Sequence, residues 1–346
     1  MPAPDQPEIE RPTGHERGGQ LPTQFVPVGA IAGSATYDAY QRPRKAVLLR
    51  SAWIWFILPA FIAYGIIFIY PTVRAFYLSF FNWPGYGPIG AFVGLNNFSE
   101  VLQSRKFHIA AVNTLKLFVA MFILQNTVSL GLALMLNRRS RMTHIYRAII
   151  FLPQIMSAVA TGIIWVLMLD PVIGIVNPVL HDVGLASFQR EWQANPDWAM
   201  RVVYLVQFWQ WNGLAVVLFL AGLQNVPEDI RHAALIDGAN RWRVFKDVTF
   251  PMLAPAFTIV TVLSFILIFR AFDLIYVLGG VDGAPDRHTL VLGVLIYGDA
   301  FGTSSFSSLT RLSYAMAEGV TMFVFLAGVS GLLLKALGRR EEAIQS

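Results

Sequence analysis

The sequence predicts an all-α membrane protein: six transmembrane helices, both termini in the cytoplasm, and a cytoplasmic loop that folds as two short helices. Three observations lead there. Apolar residues make up 55% of the 346 and charged residues only 14%, against about 25% charge in an ordinary soluble domain. Mean hydropathy is +0.54, more apolar surface than a compact soluble core can cover, so lipid is the solvent it fits. Finally, the apolar residues gather into runs of span length, and the basic residues gather between alternate runs.

A bilayer core takes roughly 20 helical residues. Residues 52–73 hold no charge and carry Trp53, Trp55, Tyr64 and Tyr70 towards their ends, where an aromatic belt sits. Residues 117–136, 148–169 and 202–223 are three further uncharged runs. Residues 253–278 form a fifth, interrupted by Arg270 and Asp273, which lie three apart and are expected to pair on one helix face. Residues 312–334 form a sixth with one acid, Glu318, set near Arg311 at the outer boundary. Residues 290–297 are apolar but too short to span, and read as a re-entrant or interfacial piece.

Orientation follows from the bases. Arg42, Arg44, Lys45 and Arg50 precede the first run. Arg138, Arg139, Arg141 and Arg147 fall between the second and third, and Arg231, Arg241, Arg243 and Lys246 between the fourth and fifth. Lys335, Arg339 and Arg340 follow the sixth. These segments are assigned to the cytoplasm. Residues 1–50, polar and rich in Pro and Gly as far as about Tyr40, are expected to be a disordered cytoplasmic tail. Residues 51–337 form the membrane domain, and 338–346 a short cytoplasmic tail. A net charge of +5 suits nucleic acid only when the bases share a polar surface; here they are split among loops, so the bilayer is the expected partner and nucleic acid is not. Without cysteine there is no disulfide and no Cys-ligated metal.

The most informative segment is the loop at residues 225–255, NVPEDIRHAALIDGANRWRVFKDVTFPMLAP. Pro227, Glu228 and Asp229 suit a helix start, with acids at the positive end of the dipole. Ala233 and Ala234 give a small-residue face on a helix reaching about Ile236. Gly238 suits a sharp bend. Residues 239–248 then suit a second helix, with Trp242, Phe245 and Val248 on one apolar face and Pro251 ending it. Two such helices form a knob able to dock into a groove on a soluble partner.

This pattern resembles the EAA coupling loop of the permease subunits of binding-protein-dependent ABC importers. Ala233, Ala234, Asp237, Gly238, Ala239, Phe245, Pro251 and Pro255 fall on its register, while His232 stands where the family usually has Glu. The resemblance covers about residues 50–337 and points to the sugar-importing, MalF-like branch. It includes FVGLNNF at 92–98 with Asn113 and Thr114, RAIIFLP at 147–153 with Trp165 and GIVN at 174–177. WQWNGLAVVLFLAGLQNVPED at 209–229 and FDLIYVL at 272–278 also match, whereas GGVDG at 279–283 departs from the usual Gly-rich run.

What the resemblance implies is a subunit forming half of a translocation pore in a bacterial cytoplasmic (inner) membrane. Its partners would be ABC ATPase subunits, a second permease that is usually a paralogue, and an extracytoplasmic solute-binding protein. The chain has no G-x-x-x-x-G-K-[ST] loop and no H-E-x-x-H. No cofactor is therefore expected in it, ATP being hydrolysed by the partner ATPase. A carbohydrate, polyol or glycoside is the expected solute; glycerol phosphate or a polyamine is the alternative, and a proton-coupled carrier using Glu318 is the competitor from another class. Polar or aromatic groups at membrane depth are Gln125, Asn126, Gln207, Trp209, Gln210, Trp211 and Asn212. They either join helices by hydrogen bonds or line the solute path, and residues 207–212 are the candidate pore lining.

Overall fold

The structure is a computed structural model describing residues 45–137, 141–302 and 311–345, with helical backbone only for 45–54, 141 and 336–345. Most of the expected N-terminal tail, together with Arg138 and Arg139, lies outside the described residues. The chain divides into two bodies, residues 1–64 and 65–346. Within the first, α1 (Lys45–Tyr64) exposes Trp55, Phe56 and Phe61, as a lipid-facing helix would. In the second body the described elements are helices joined by turns and loops, with one isolated bridge between Phe81 and Phe92.

Among the described residues, four runs are long and apolar enough to cross a membrane: Trp55–Leu78, Arg105–Leu136, Pro196–Gln224 and Leu312–Lys335. They correspond to the first, second, fourth and sixth runs of the sequence. Their helices are α2 (Tyr70–Leu78), α4 (Arg105–Leu124) with α5 (Leu130–Leu136), α9 (Pro196–Gln224) and α16 (Leu312–Gln345). Between α2 and α4 lies α3 (Asn96–Gln103). A wide, π-type segment, Gln125–Ser129, joins α4 to α5.

The third run is not straight. It comprises α6 (Arg141–Ile155) and α7 (Ala158–Leu169), bent by 97°. Pro153 cannot donate to the helix ladder, and Ser157 is extended at ψ 136°. The fifth run also differs from expectation. Its helix α13 (Ala254–Phe269) stops, and α14 (Asp273–Gly279) begins only after a three-residue break. Arg270 therefore falls in the gap and Asp273 opens the next helix, and among the described residues no ion pair joins them. The short segment after it forms α15 (Leu292–Phe301), ten residues long and partly buried. Connecting the third and fourth runs is α8 (Val176–Asp182).

At the centre stands α9, with α6, α5 and α13 packed against it. Small residues allow that closeness. A Cβ on Gly213 would lie 2.8 Å from the carbonyl oxygen of Ile150 in α6 and 3.0 Å from the Cα of Phe151. The apolar core on this side joins Leu130, Ala133, Phe219, Leu223, Leu253 and Val260. Polar side chains fasten the same helices: Ser129 donates to Asn212 of α9, and Ser264 of α13 donates to Gln125. Hydrogen bonds of this kind between membrane helices are worth about 0.6–2 kcal/mol each.

The motif asparagines have structural work. Buried Asn97 donates to the carbonyls of Ser79 (2.8 Å) and Phe81 (2.9 Å), pinning α3 beneath the preceding loop. Asn113 donates to Arg287 (3.1 Å) and Leu290 (3.0 Å), while Thr114 accepts from the Leu292 N–H at 3.0 Å, so α4 holds the start of α15. Asn177 accepts from the Trp192 indole at 2.9 Å. Arg311 makes a two-pronged pair with Glu100 of α3, both contacts at 2.6 Å, rather than reaching Glu318.

Two outcomes follow. Gly213→Val drives a branched side chain into the α6 backbone and lowers stability by about 1–3 kcal/mol, read as a fall in the thermal midpoint in detergent; an unchanged midpoint would mean that α6 and α9 are not in this close contact. The Arg311 guanidinium holds the Glu100 carboxyl below its ordinary value. The unfolded chain therefore takes up this proton first as pH falls. The pair stabilises above the ordinary carboxylate range, and that contribution disappears as pH drops through the lowered folded value. Both side chains are nearly half exposed, so the effect is under about 1 kcal/mol. Glu100→Gln should flatten this acid limb of the midpoint-against-pH curve, and an unaltered limb would count against the pair.

Candidate functional site

The loop at 225–255 forms α10 (Glu228–Ile236), a tight turn, and a second helix over Arg241–Met252, made of α11 (Arg241–Arg243), a wide turn and α12 (Phe250–Met252). Pro227 precedes α10, and Glu228 and Asp229 occupy its first turn. The turn follows from two backbone bonds. Gly238 N–H donates to Leu235 at 3.1 Å, and Ala239 N–H donates to Ala234 at 3.0 Å. That is the paired closure of a helix C-terminus by a left-handed residue; Gly238 supplies it at φ +83°, where a Cβ is strained. Asn240 then caps the next helix, its side chain accepting from Arg243 N–H at 2.8 Å. The spacing of Ala234, Gly238 and Ala239 is thus the spacing this closure needs. The capping role of Asn240 is a signal present in the sequence, Asn before a helical run, that the motif register passes over.

The knob is bare. No residue of α10 is buried. His232, Ala233, Asp237 and Gly238 are exposed, and Ala234 and Ala239 half-buried. Ile230, Leu235, Ile236 and Trp242 expose large apolar surfaces beside them, Ile236 at 85%. Trp242, Phe245 and Val248 do not share one buried face. The helix passes through a wide turn over Val244–Thr249, which shifts the side chains, and the residues it buries are Val244 and Thr249. Nor does Pro251 end the helix, which continues to Met252; the chain bends by 59° at Leu253, just before Pro255 opens α13.

A run of rings links the knob to the core. Trp242 packs on Phe245 (5.7 Å between centroids), Phe245 on Phe250 (6.0 Å), Phe250 on Phe257 (5.2 Å), and Phe257 on Phe219 of α9 (4.9 Å). Each spacing lies in the range of attractive aromatic pairs. Phe245, a motif residue, is the second link.

The five candidate pore residues on α9 diverge round the helix. Gln207 and Trp211, one turn apart, line a cavity of about 200 Å³ with Ala158, Arg270, Phe272 and Asp273. Gln207 is buried, and its Oε1 has no hydrogen-bond partner. Gln210 turns towards the α6–α7 bend, its amide donating to the Met156 carbonyl freed there, at 3.3 Å. Asn212 takes the Ser129 hydroxyl, and Trp209 packs edge-on against Trp165 at 5.7 Å. Gln125 is engaged with Ser264, and Asn126 donates to Phe122 at 2.8 Å, leaving its Oδ1 unpartnered. Two of the five therefore meet at one cavity, joined by Arg270 and Asp273, which the pairing rule had treated as structural. In α16, Glu318 is fully buried, its carboxyl beside that of Asp299 in α15.

Residues 125–342, well over half the chain, match the family described as "Binding-protein-dependent transport system inner membrane component". The lactose transport system permease protein LacF of Rhizobium radiobacter is 32% identical, over 80% of this chain and 92% of that protein. The trehalose/maltose permease protein MalF of Thermococcus litoralis is 31% identical, over 70% and 80%. A probable starch degradation products permease, AmyD of Thermoanaerobacterium thermosulfurigenes, is 29% identical, over 86% and 98%. In fold, the chain is similar to a crystal structure of a bacterial ABC transporter involved in importing the acidic polysaccharide alginate. That likeness has a TM-score of 0.70 at 22% identity, covering 85% of this chain and 98% of that one. The helical membrane architecture, the family match and the loop agree: the chain belongs to the family of inner membrane components of binding-protein-dependent ABC transport systems, as a multi-pass permease.

Proposed function

We propose that this permease forms half of the translocation path of an ATP-driven importer for a carbohydrate or a related polyol or glycoside. The observation that carries the reading is the bare two-helix knob on Glu228–Met252. It is closed by Gly238, capped by Asn240 and tied to the core through aromatic rings. A surface of small and apolar residues left uncovered suits docking into a groove on a partner, and that partner would be the ATPase. Six spans with both termini cytoplasmic, taking α6 with α7 as one span and α13 as another, would bring the knob to the cytoplasmic face of a bacterial inner membrane. A second permease, usually a paralogue, would complete the pore, and an extracytoplasmic binding protein would deliver the solute. The solved complex of the similar alginate transporter with a solute-loaded periplasmic protein supports that last partner.

The solute class rests on the relatives, whose names give lactose, trehalose/maltose and starch degradation products. The cavity by Gln207 and Trp211 suits it: a buried amide oxygen ready to accept, a ring to lie against, and Arg270 and Asp273 balancing each other in charge. Sugars need such convergent hydrogen-bonding groups and aromatic faces. In the proposed cycle, closure of the ATPase dimer on ATP moves the knob, and the ring stack and second coupling helix carry that movement into α9 and α13.

Co-purification from native membranes tests the assembly. An ATPase and a second permease should elute with this chain, and uptake in vesicles should require ATP and binding protein; uptake driven by a proton gradient alone would instead support a carrier using Glu318. A second outcome concerns His232, exposed on the knob. His232→Glu restores the usual family residue and should leave transport within about twofold of the parent, since exposed charges contribute little. A large loss of uptake would mean that the histidine makes a contact of its own.

A further inference from the structure

Beneath the knob lies a second cavity of about 440 Å³. Its walls come from the ends of two spans, Leu134 and Asn137 by α5 and Leu223 and Val226 by α9, and from the knob: Leu235, Val244, Phe245 and Thr249. Two arginines complete it, Arg231 from α10 and Arg241 at the start of the second knob helix. Neither guanidinium takes part in any hydrogen bond or ion pair among the described residues, and no acidic side chain lines the cavity. A third cation stands close by. Arg147 donates to the Leu136 carbonyl at 3.0 Å, next to the wall residue Asn137, while its buried Nε has no partner.

Two unpaired guanidiniums converging on one space repel each other and favour an anion between them. Arg recognises phosphate with a planar fork of donors. The depth of the cavity identifies the source. Span Arg105–Leu136 ends beside Asn137 and span Pro196–Gln224 beside Val226, so the arginines stand at the level of lipid headgroups, while Leu134, Leu223, Val244 and Phe245 supply an apolar floor. Basic pockets at the ends of membrane helices suit anionic headgroups for this reason. We propose that this cavity binds the headgroup of an anionic phospholipid of the leaflet facing the ATPase, with Arg231 and Arg241 holding its phosphate. The lipid would wedge between the knob and the span ends, making the stiffness of the coupling loop depend on membrane composition. This inference rests on the cytoplasmic placement of the loop and is independent of which solute is carried.

The test uses the whole detergent-purified transporter with phosphatidylglycerol or phosphatidylcholine added, and counts retained lipid by native mass spectrometry. Phosphatidylglycerol should be preferred, and Arg231→Gln/Arg241→Gln should cut that preference by about tenfold. Salt gives a second reading that needs no variant: retention of phosphatidylglycerol should fall with rising ionic strength, while that of phosphatidylcholine stays level. Equal retention of the two lipids by the parent overturns the proposal, as does retention in the variant equal to the parent's. Displacement of the lipid by an equal concentration of free glycerol phosphate would assign the cavity to a soluble anion. Loss of the ATPase from the variant with phosphatidylglycerol still held would assign the arginines to the partner protein. Either result rejects the lipid site.

Discussion

In hydrocarbon no water is available to a freed N–H or C=O, so every interruption of a membrane helix must be covered by protein. The arrangement of this bundle follows from that constraint. The bend between α6 and α7 frees the Met156 carbonyl, and Gln210 of α9 supplies a donor for it. The wide turn at Gln125–Ser129 is fastened through its side chains, Ser264 of α13 donating to Gln125 and Ser129 donating to Asn212 of α9. Arg270, at the break after α13, shares its cavity with Gln207 and Trp211, again on α9. The straight, most buried span thus serves as the surface against which the irregular ones can afford to be irregular. Its glycine at 213 sets how closely α6 can approach.

How legible this was in the sequence depended on the range of the interaction. Runs of unbroken apolar residues announced themselves, and so did the turn at Gly238, because a left-handed helix closure strongly favours glycine. The breaks were harder to see. Pro153 lies inside an uncharged run whose hydropathy hides it, and Arg270 and Asp273 look like a helical pair if the helix is assumed to continue. Wide turns leave no local composition signal at all. Residues 207–212 read as one polar patch in the linear sequence, yet at about 100° per residue they point to four different neighbours. Proximity along a helical chain is poor evidence of a shared face.

The two ends of the bundle are stabilised differently. Near α3 and α15 the fastening is polar and specific: Asn97, Asn113 and Thr114 each hold backbone groups of another segment, and Arg311 grips Glu100. At the knob the contacts are aromatic and grade into exposed apolar surface. Directional hydrogen bonds fix a geometry, whereas stacked rings tolerate sliding while remaining in contact. An end that holds its shape and an end that can transmit displacement are what the importer cycle proposed above requires.

The wide turn at Val244–Thr249 has a consequence for how such a loop evolves. It accommodates one residue more than a regular helix requires, so the azimuth of Trp242 relative to Phe257 is set by an insertion rather than by side-chain chemistry. Losing that residue would swing everything on the loop side by about 100° and leave the buried helices untouched. One residue at this turn is therefore a dial for re-aiming the protruding tip.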